Sequence, residues 1–289
     1  MKLKKLAAGL GALGLLAIAA PSLAAPTLTY TTANYGVQVL DPFGSIDWNS
    51  GSTAVAVGYN PFAQVNVGIT TTYFSNAVGI LDPDGNTFTT PGITPPPGSG
   101  NGWEFTVVAT IIESSVCLVS QNGVGVPAGP GNPCVIATFS ATGGSWNVYF
   151  DALADSSTVT GAGMTDGDLV MTGAIDPGLA GTFTASGTGG SGIFDFRGAV
   201  TYTNSAYITP DIEFSRATST LQIGTSTGGW TPATGLPGAG GAAIPGIPQG
   251  AILFQADANQ SYGIPEPTTL ALLGLGLIGF VVGSRRRVC

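Results

Sequence analysis

Carboxylates are the side chains best able to do chemistry in this 289-residue sequence, because it contains no histidine. Neither a histidine-activated nucleophile nor a histidine-based zinc site can therefore form. Lysine occurs only within the first five residues, so a Schiff-base lysine and a lysine-bearing phosphate loop are excluded from the rest of the chain.

A glycoside hydrolase needs only two acids that face each other across a sugar. The acids that could serve are Glu104, Glu113, Asp151 and Glu213. Acids on a β scaffold more commonly lie on its surface or in turns, and few basic groups are present to clamp a polysaccharide. We therefore expect a protein that is not an enzyme, with a carbohydrate-active enzyme that uses paired carboxylates as the alternative.

Oxygen-rich turns are the second feature that points to chemistry, because calcium takes six to eight oxygen ligands. Asp82, Asp84 and Asn86 occupy alternate positions in a glycine-containing turn, and Asp166 with Asp168 repeats part of this pattern. No bidentate acid follows at the distance that a complete calcium loop requires. Asx-rich hairpin turns account for both segments equally well. Calcium is the one cofactor that the sequence suggests.

Cysteine usage predicts a disulfide. Cys117 and Cys134 are the only cysteines before the final Cys289, and the segment between them is rich in Gly, Pro, Val and Asn. In an oxidising compartment we expect them to close an irregular loop between two strands. Such a bridge is worth about 3 kcal/mol in the chain-entropy account. A metal site would need further ligands nearby, and the sequence offers none.

The elements that position these residues are predicted to be strands. Short β-branched and aromatic runs are bounded by Gly, Pro, Asn and Asp, and no helical period is sustained before the last 25 residues. We predict an all-β body over residues 25–260, an antiparallel β-sandwich of jelly-roll-like or Greek-key type. The predicted strands are Thr27–Thr32, Val37–Leu40, Thr53–Tyr59, Val65–Phe74, Trp103–Ile112, Val135–Ser140, Trp146–Phe150, Leu169–Thr172, Phe183–Ala185, Ile193–Tyr202, Thr220–Ile223 and Ala251–Gln255.

The first 24 residues have the pattern of a secretory signal peptide. A basic start is followed by an apolar run from Leu6 to Ala20 and by small residues at Ser22 and Ala24. Cleavage after Ala24 avoids placing Pro26 directly after the cut. A retained N-terminal anchor is the alternative.

The last 29 residues have three parts. Residues 261–267 are predicted to be a tether that contains Pro265, Glu266 and Pro267, and residues 268–289 a single transmembrane helix with a basic tail. The uncharged part, Thr268–Ser284, reaches roughly 25 Å as a helix, which is the short end of what spans a bilayer. Arg285, Arg286 and Arg287 favour the cytoplasmic side and so place the preceding chain outside.

This order of a Pro-Glu-Pro motif, a Gly/Leu-rich span and an arginine cluster resembles the PEP-CTERM sorting signal. The resemblance implies that an exosortase, a membrane-embedded cysteine transpeptidase, cuts near the motif and passes the protein to the surface. It further implies a cell-envelope or extracellular location, with transient anchoring in the cytoplasmic membrane. An ordinary C-terminal anchor helix is the alternative.

Charge narrows the possible partners. Without its predicted ends, the exported body together with its tether, Ala25–Pro267, keeps two arginines, Arg197 and Arg216, against all 16 acidic residues, which gives a net charge of −14. Such a body repels nucleic acid and anionic lipid, so nucleic-acid binding is excluded. Divalent cations, or neutral polymers that meet hydroxyls and amides, are the partners that remain.

A second resemblance concerns the body itself. Ser45–Trp48 with Ala54–Gly58, Gly161–Gly173 and Phe254–Tyr262 are similar, in this order, to segments of the flocculation-associated PEP-CTERM proteins. That resemblance implies a non-enzymatic surface protein that mediates cell aggregation in flocs and biofilms through extracellular polysaccharide. A purely structural envelope protein is a further alternative.

Overall fold

The computed structural model describes residues 25–93, 102–186, 189–224 and 252–263. The predicted signal peptide, residues 264–267 of the predicted tether, and the predicted transmembrane helix with its arginines lie outside these ranges. The described residues belong to one compact unit, Ala25–Ile264.

The described residues form fourteen strands and no helix, so the predicted all-β class is confirmed. The strands are β1 Thr27–Thr32, β2 Gly36–Leu40, β3 Ser45–Trp48, β4 Ser52–Val57, β5 Val65–Leu81, β6 Glu104–Ser120, β7 Gly123–Val124, β8 Cys134–Asp151, β9 Asp168–Ile175, β10 Gly178–Ser186, β11 Gly189–Thr203, β12 Ile208–Thr209, β13 Arg216–Gly224 and β14 Ile252–Gly263.

The large sheet is antiparallel and closes on itself. Strand β5 pairs with β6, β6 with β8, and β8 with both β9 and β10. These two strands pair with β11, which leads through β13 to β14. Strand β14 returns to β3 and β4, and both of these pair with β5. The antiparallel sheets are as predicted, but the strands follow one another as a meander instead of a jelly-roll or Greek-key order.

The interior of this closed sheet is an apolar core. Along β6, Phe105, Val107, Ala109 and Ile111 alternate inward and are buried, as the two-residue period of a strand requires. A smaller sheet of β12, β1 and β2 joins the same core. Its Tyr30 ring packs on Trp103, which directly precedes β6, and on Phe105 and Phe150 of the large sheet, at centroid distances of 4.5, 5.4 and 5.5 Å.

Several strands are longer than predicted, among them β5, β6 and β13. A further correction concerns the middle of β8. The strands predicted at Val135–Ser140 and Trp146–Phe150 are a single strand, β8, which passes through Gly143 and Gly144 without ending. A Cβ on Gly144 would lie 2.2 Å from the carbonyl oxygen of Thr110, so glycine is what lets β8 approach β6 here.

The predicted tether also begins too early. Ser261, Tyr262 and Gly263 are part of β14 and pair with β13. The Tyr262 ring is buried against Phe43, with ring centroids 5.3 Å apart. This packing holds the chain in the sheet as far as Gly263.

Candidate functional site

A cleft opens where the sheet loses its pairing between β9 and β10 on one side and β11 on the other. The ladder from β9 reaches Gly198 of β11, and the ladder from β10 begins only at Phe194. Between these points, one backbone hydrogen bond joins Asp176 N to Arg197 O at 2.8 Å. The gap leaves a cleft of about 680 Å³. Its polar lining side chains are Asp176, Asp195, Arg197, Arg216 and Thr218.

Arg197 and Arg216, the two arginines among the described residues, both line this cleft, but they have different partners. The Arg216 guanidinium donates to the Asp176 carboxylate in an exposed ion pair. The Asp195 carboxylate accepts a hydrogen bond of 2.7 Å from the Thr220 hydroxyl. Arg197 is exposed, and its guanidinium contacts no hydrogen-bond or salt-bridge partner among the described residues. The outward face of β11 therefore presents two groups to the cleft. The unpaired Arg197 guanidinium is a hydrogen-bond donor, and the Asp195 carboxylate, two residues away, is an acceptor.

A shallower depression of about 210 Å³ continues from the cleft across β13 to β14. Thr218, Thr220 and Asn259 add hydroxyl and amide groups to its lining, beside Asp195 and Arg197. Such a mixture of neutral donors and acceptors with one guanidinium suits a polyhydroxylated ligand that exchanges hydrogen bonds with water. The sequence did not reveal this arrangement, because Asp176 and Arg197 are 21 positions apart and meet only through the register of β9 and β11.

A cluster of acids lies at another place. Carboxylate oxygens of Asp151, Asp155 and Asp166 lie within 4.8 Å of one another, and this is the only such group of three among the described residues. Burial first, and then the nearby Asp166 and Asp155 charges, raise the pKa of Asp151. These oxygens are of the kind that a divalent cation takes as ligands. Asp166 was a predicted calcium ligand, and sequence reasoning missed its neighbour Asp155.

The other predicted calcium ligands have different partners. The Asp82 carboxylate accepts hydrogen bonds from the backbone of Asp84 and Asn86 and from the Asn86 amide, at 2.8 to 2.9 Å. Those bonds are typical of an Asx turn and lower the pKa of Asp82. Asp168 accepts a hydrogen bond of 2.7 Å from the Tyr207 hydroxyl. Calcium binding by Asp82, Asp84 and Asn86 stays a prediction.

The four acids considered for catalysis are distributed over three places. Glu104 and Asp151 are cross-strand neighbours on β6 and β8. Glu113 lies nine positions further along β6, a distance of about 30 Å at strand rise. Glu213 lies in the turn before β13, where its backbone amide donates to Asp211.

Glu104 is the anchor of a covering loop, residues 152–167, that lies on the outer face of β4, β5 and β6. Its carboxylate accepts backbone hydrogen bonds from Asp155 at 3.1 Å and Ser156 at 2.8 Å, together with the Ser156 hydroxyl. Burial raises the pKa of Glu104, and these hydrogen bonds oppose the rise. Further along the loop, the Met164 side chain packs on Phe74. Both oxygens of Glu104 are thus used to hold the loop.

Replacing Glu104 with alanine is expected to loosen the covering loop. Loss of hydrogen bonds to a charged acceptor should cost about 2 kcal/mol locally, which corresponds to roughly 30-fold faster amide exchange at Asp155 and Ser156. Hydrogen exchange followed by mass spectrometry measures this. The control is Glu213→Ala, an acid in a different turn. Unchanged exchange of the loop amides in Glu104→Ala would show that Met164 packing alone holds the loop.

Glu113 is enclosed in the core. Its Oε2 accepts a hydrogen bond of 2.7 Å from the Thr71 hydroxyl, and its Oε1 has no hydrogen-bond partner among the described residues. It borders a small apolar cavity of about 30 Å³. The aromatic residues that line this cavity are Tyr59, Phe139, Phe183, Phe194, Phe196 and Phe254. Burial raises the pKa of Glu113 to about 7.

The predicted disulfide is confirmed. Cys117 near the end of β6 and Cys134 at the start of β8 are bonded, with Cα atoms 5.6 Å apart. The bridge closes the segment that contains the short strand β7. A disulfide fits the oxidising compartment that the predicted signal peptide leads to.

Comparison with known families locates the sorting signal. The family described as the PEP-CTERM protein-sorting motif matches residues 263–287. The chain carries a PEP-CTERM sorting motif. Both Pro265–Pro267 and Arg285–Arg287 fall inside the matched segment. The motif implies an exported protein that an exosortase, a membrane enzyme, processes and that is sorted to the cell surface.

The PEP-CTERM match covers residues 263–287. No curated protein and no solved structure matches this sequence. The described residues contain no helix long and apolar enough to cross a membrane. The predicted helix at 268–289 is outside those residues, so its conformation stays a prediction.

Proposed function

We propose that this PEP-CTERM protein is a non-enzymatic surface protein that promotes cell aggregation in flocs or biofilms by binding extracellular polysaccharide. The observation that carries the proposal is the outer cleft, where the unpaired Arg197 lies beside Asp195 and the hydroxyls of Thr218 and Thr220. A guanidinium and a carboxylate at this spacing supply donors and acceptors for neighbouring sugar hydroxyls.

The charge of the body favours a neutral polymer. With a net charge of −14, the exported body repels a polyanionic chain, although the repulsion is screened beyond about 8 Å at physiological salt. Within the cleft, Asp176 and Asp195 offset the charges of Arg216 and Arg197. Neutral sugar rings therefore experience less electrostatic repulsion at this surface than negatively charged uronates do.

The positions of the acids favour a binding protein over a hydrolase. A glycosidase pair needs one acid and one nucleophile or base with free oxygens near the sugar. Glu104 uses both oxygens on the covering loop, and Glu113 is inside the core. The cleft itself contains Asp176, which pairs with Arg216, and Asp195, which accepts from Thr220.

Anchoring before processing is part of the same proposal. Residues 268–289 hold the protein transiently in the cytoplasmic membrane, with Arg285–Arg287 on the cytoplasmic side. Exosortase action near Pro265–Pro267 then releases the body to the surface. Replacement of Arg285–Arg287 with glutamine should leave unprocessed precursor, detected by its larger mass.

Replacing Arg197 with alanine is expected to weaken polysaccharide binding about tenfold, because a hydrogen bond from a charged donor contributes roughly 1.5 kcal/mol. The test measures binding to polysaccharide purified from aggregating cells, and floc formation by a deletion strain carrying the variant. Asp84→Asn, in a turn away from the cleft, is the control.

Three results would contradict this proposal. Equal binding by Arg197→Ala and the parent protein would exclude the cleft. Deletion of the gene with unchanged aggregation and polysaccharide retention would favour a purely structural envelope protein. Release of reducing sugar ends by the purified protein would favour the enzyme.

A further inference from the structure

Strand β2 occupies the open side of the small sheet. It pairs with β1 in a continuous register from Leu28 opposite Leu40 to Thr32 opposite Gly36. On its other side, no strand among the described residues pairs with it. The Gln38 side-chain amide donates to the carbonyl oxygens of Tyr35, at 2.7 Å, and Val37, at 3.3 Å. These carbonyls thus take a side-chain donor in place of a strand partner.

The composition of β2 lacks the usual protection of an edge strand. Natural edges are commonly guarded by lysine, proline, a bulge or an inward-pointing charge. Residues 34–40 contain no charge and no proline, and the register with β1 has no bulge. Tyr35, Val37 and Val39 are 42%, 63% and 60% exposed. Large apolar side chains therefore line the outward face of an edge that has no strand partner among the described residues.

We propose that β2 is a contact site for a second copy of this chain, through antiparallel pairing of the two β2 strands. A two-fold register centred on Gln38 places Val37 opposite Val39 of the second copy, and Val39 opposite its Val37. Both contacts join exposed β-branched side chains, which pair well across antiparallel strands. The same surface thus serves both partners, as a two-fold interface requires.

Charge explains why a second copy fits this edge in spite of the acidic body. The centred register places Asp41 opposite the uncharged Tyr35 of the other copy, so no two carboxylates oppose each other. Each copy presents the same five-residue strand, which matches the other in length and apolar pattern. The sorting signal brings many copies to one surface, where even a small interface gains from multivalency.

The inference is tested by disulfide trapping on cells, without added polysaccharide. Two differently tagged full-length chains are co-expressed in a Cys289→Ser background, one with Val37→Cys and the other with Val39→Cys. Directly opposed residues lie close enough for a disulfide, whereas Val37 and its own copy are diagonal and too far apart. We expect mixed dimers at least fivefold more abundant after mild oxidation than dimers from either variant alone.

A matched control is provided by Thr182→Cys with Thr184→Cys. Both positions are exposed and two residues apart, but β10 pairs with β8 on one side and β11 on the other. This control pair should give only background cross-linking. Equal dimer yields from the mixed and single β2 variants, or yields no greater than the control, would overturn the inference. Because the readout needs no sugar, its failure is separate from failure of the polysaccharide proposal.

Discussion

Replacing Glu113 with glutamine is expected to remove a large pH-dependent contribution to the stability of this protein. Burial raises the pKa of Glu113 from 4.5 to about 7 in the folded state. A raised folded pKa means that the stabilisation is fully present below the unfolded pKa, and is lost as the pH rises through the folded pKa. The unfolding free energy should therefore fall by about 3 kcal/mol between pH 4.5 and pH 8.

Urea unfolding at a series of pH values measures this effect, with the parent protein and Glu113→Gln compared at each pH. Asp257 contributes in the same direction in both proteins, because burial and the nearby Asp47 raise its pKa to about 6. The difference between the two curves isolates Glu113. Parallel curves for the two proteins would contradict the prediction.

A second variant, at Thr71, tests the same pKa shift of Glu113. Its hydrogen bond to Glu113 Oε2 lowers the pKa of that carboxyl, against the larger effect of burial. Thr71→Val should therefore move the Glu113 transition to higher pH. A shift to lower pH would show that the hydroxyl does not stabilise the ionised carboxylate.

Removing the disulfide is the second large change that we expect. Replacing Cys117 and Cys134 together with serine should lower the unfolding free energy by about 3 kcal/mol, since the bridge closes a loop between positions 17 apart. For a body of this size, the corresponding fall in Tm is about 10 °C. Calorimetry of the double variant measures it, with Cys289→Ser as the matched control.

Treatment of the parent protein with a reducing agent provides an independent check. It should lower Tm by a similar amount and leave the double variant unchanged. A double variant as stable as the parent protein would mean that pairing of β6 with β8 alone defines this end of the sheet.

Local composition was sufficient to predict most of the strands, although it missed the short strands β3, β7 and β12. Runs such as Thr27–Thr32 alternate in burial as their sequence indicates. Composition failed where a strand continues through weak strand formers, as β8 does at Gly143 and Gly144. We predicted a break in the strand there because glycine is depleted in strands. The structure instead requires glycine at position 144, where the backbone of β8 lies close to Thr110.

The disulfide could be predicted for a different reason, since Cys117 and Cys134 have no competing cysteine within the body. The cleft could not be predicted. Asp176, Arg197 and Arg216 lie on three segments, and only the gap in the ladder beside β11 brings them together. Glu104 and Glu113 lie on opposite faces of β6, because a strand has a period of two residues. Glu113 has the same parity as Phe105 and Ile111 and enters the core, whereas Glu104 lies beneath the covering loop.

The position of β14 determines how the body would bear a load. This strand ends at Gly263, where the matched sorting segment begins, and it is held by β13 on one side and by β3 and β4 on the other. Tension from an attachment near Pro265 would run along the axis of β14. The backbone hydrogen bonds to β13, β3 and β4 would then be loaded in shear, so that many of them resist together. A cell pulled by flowing water would thus strain a strand that is paired on both sides before any of the described loops.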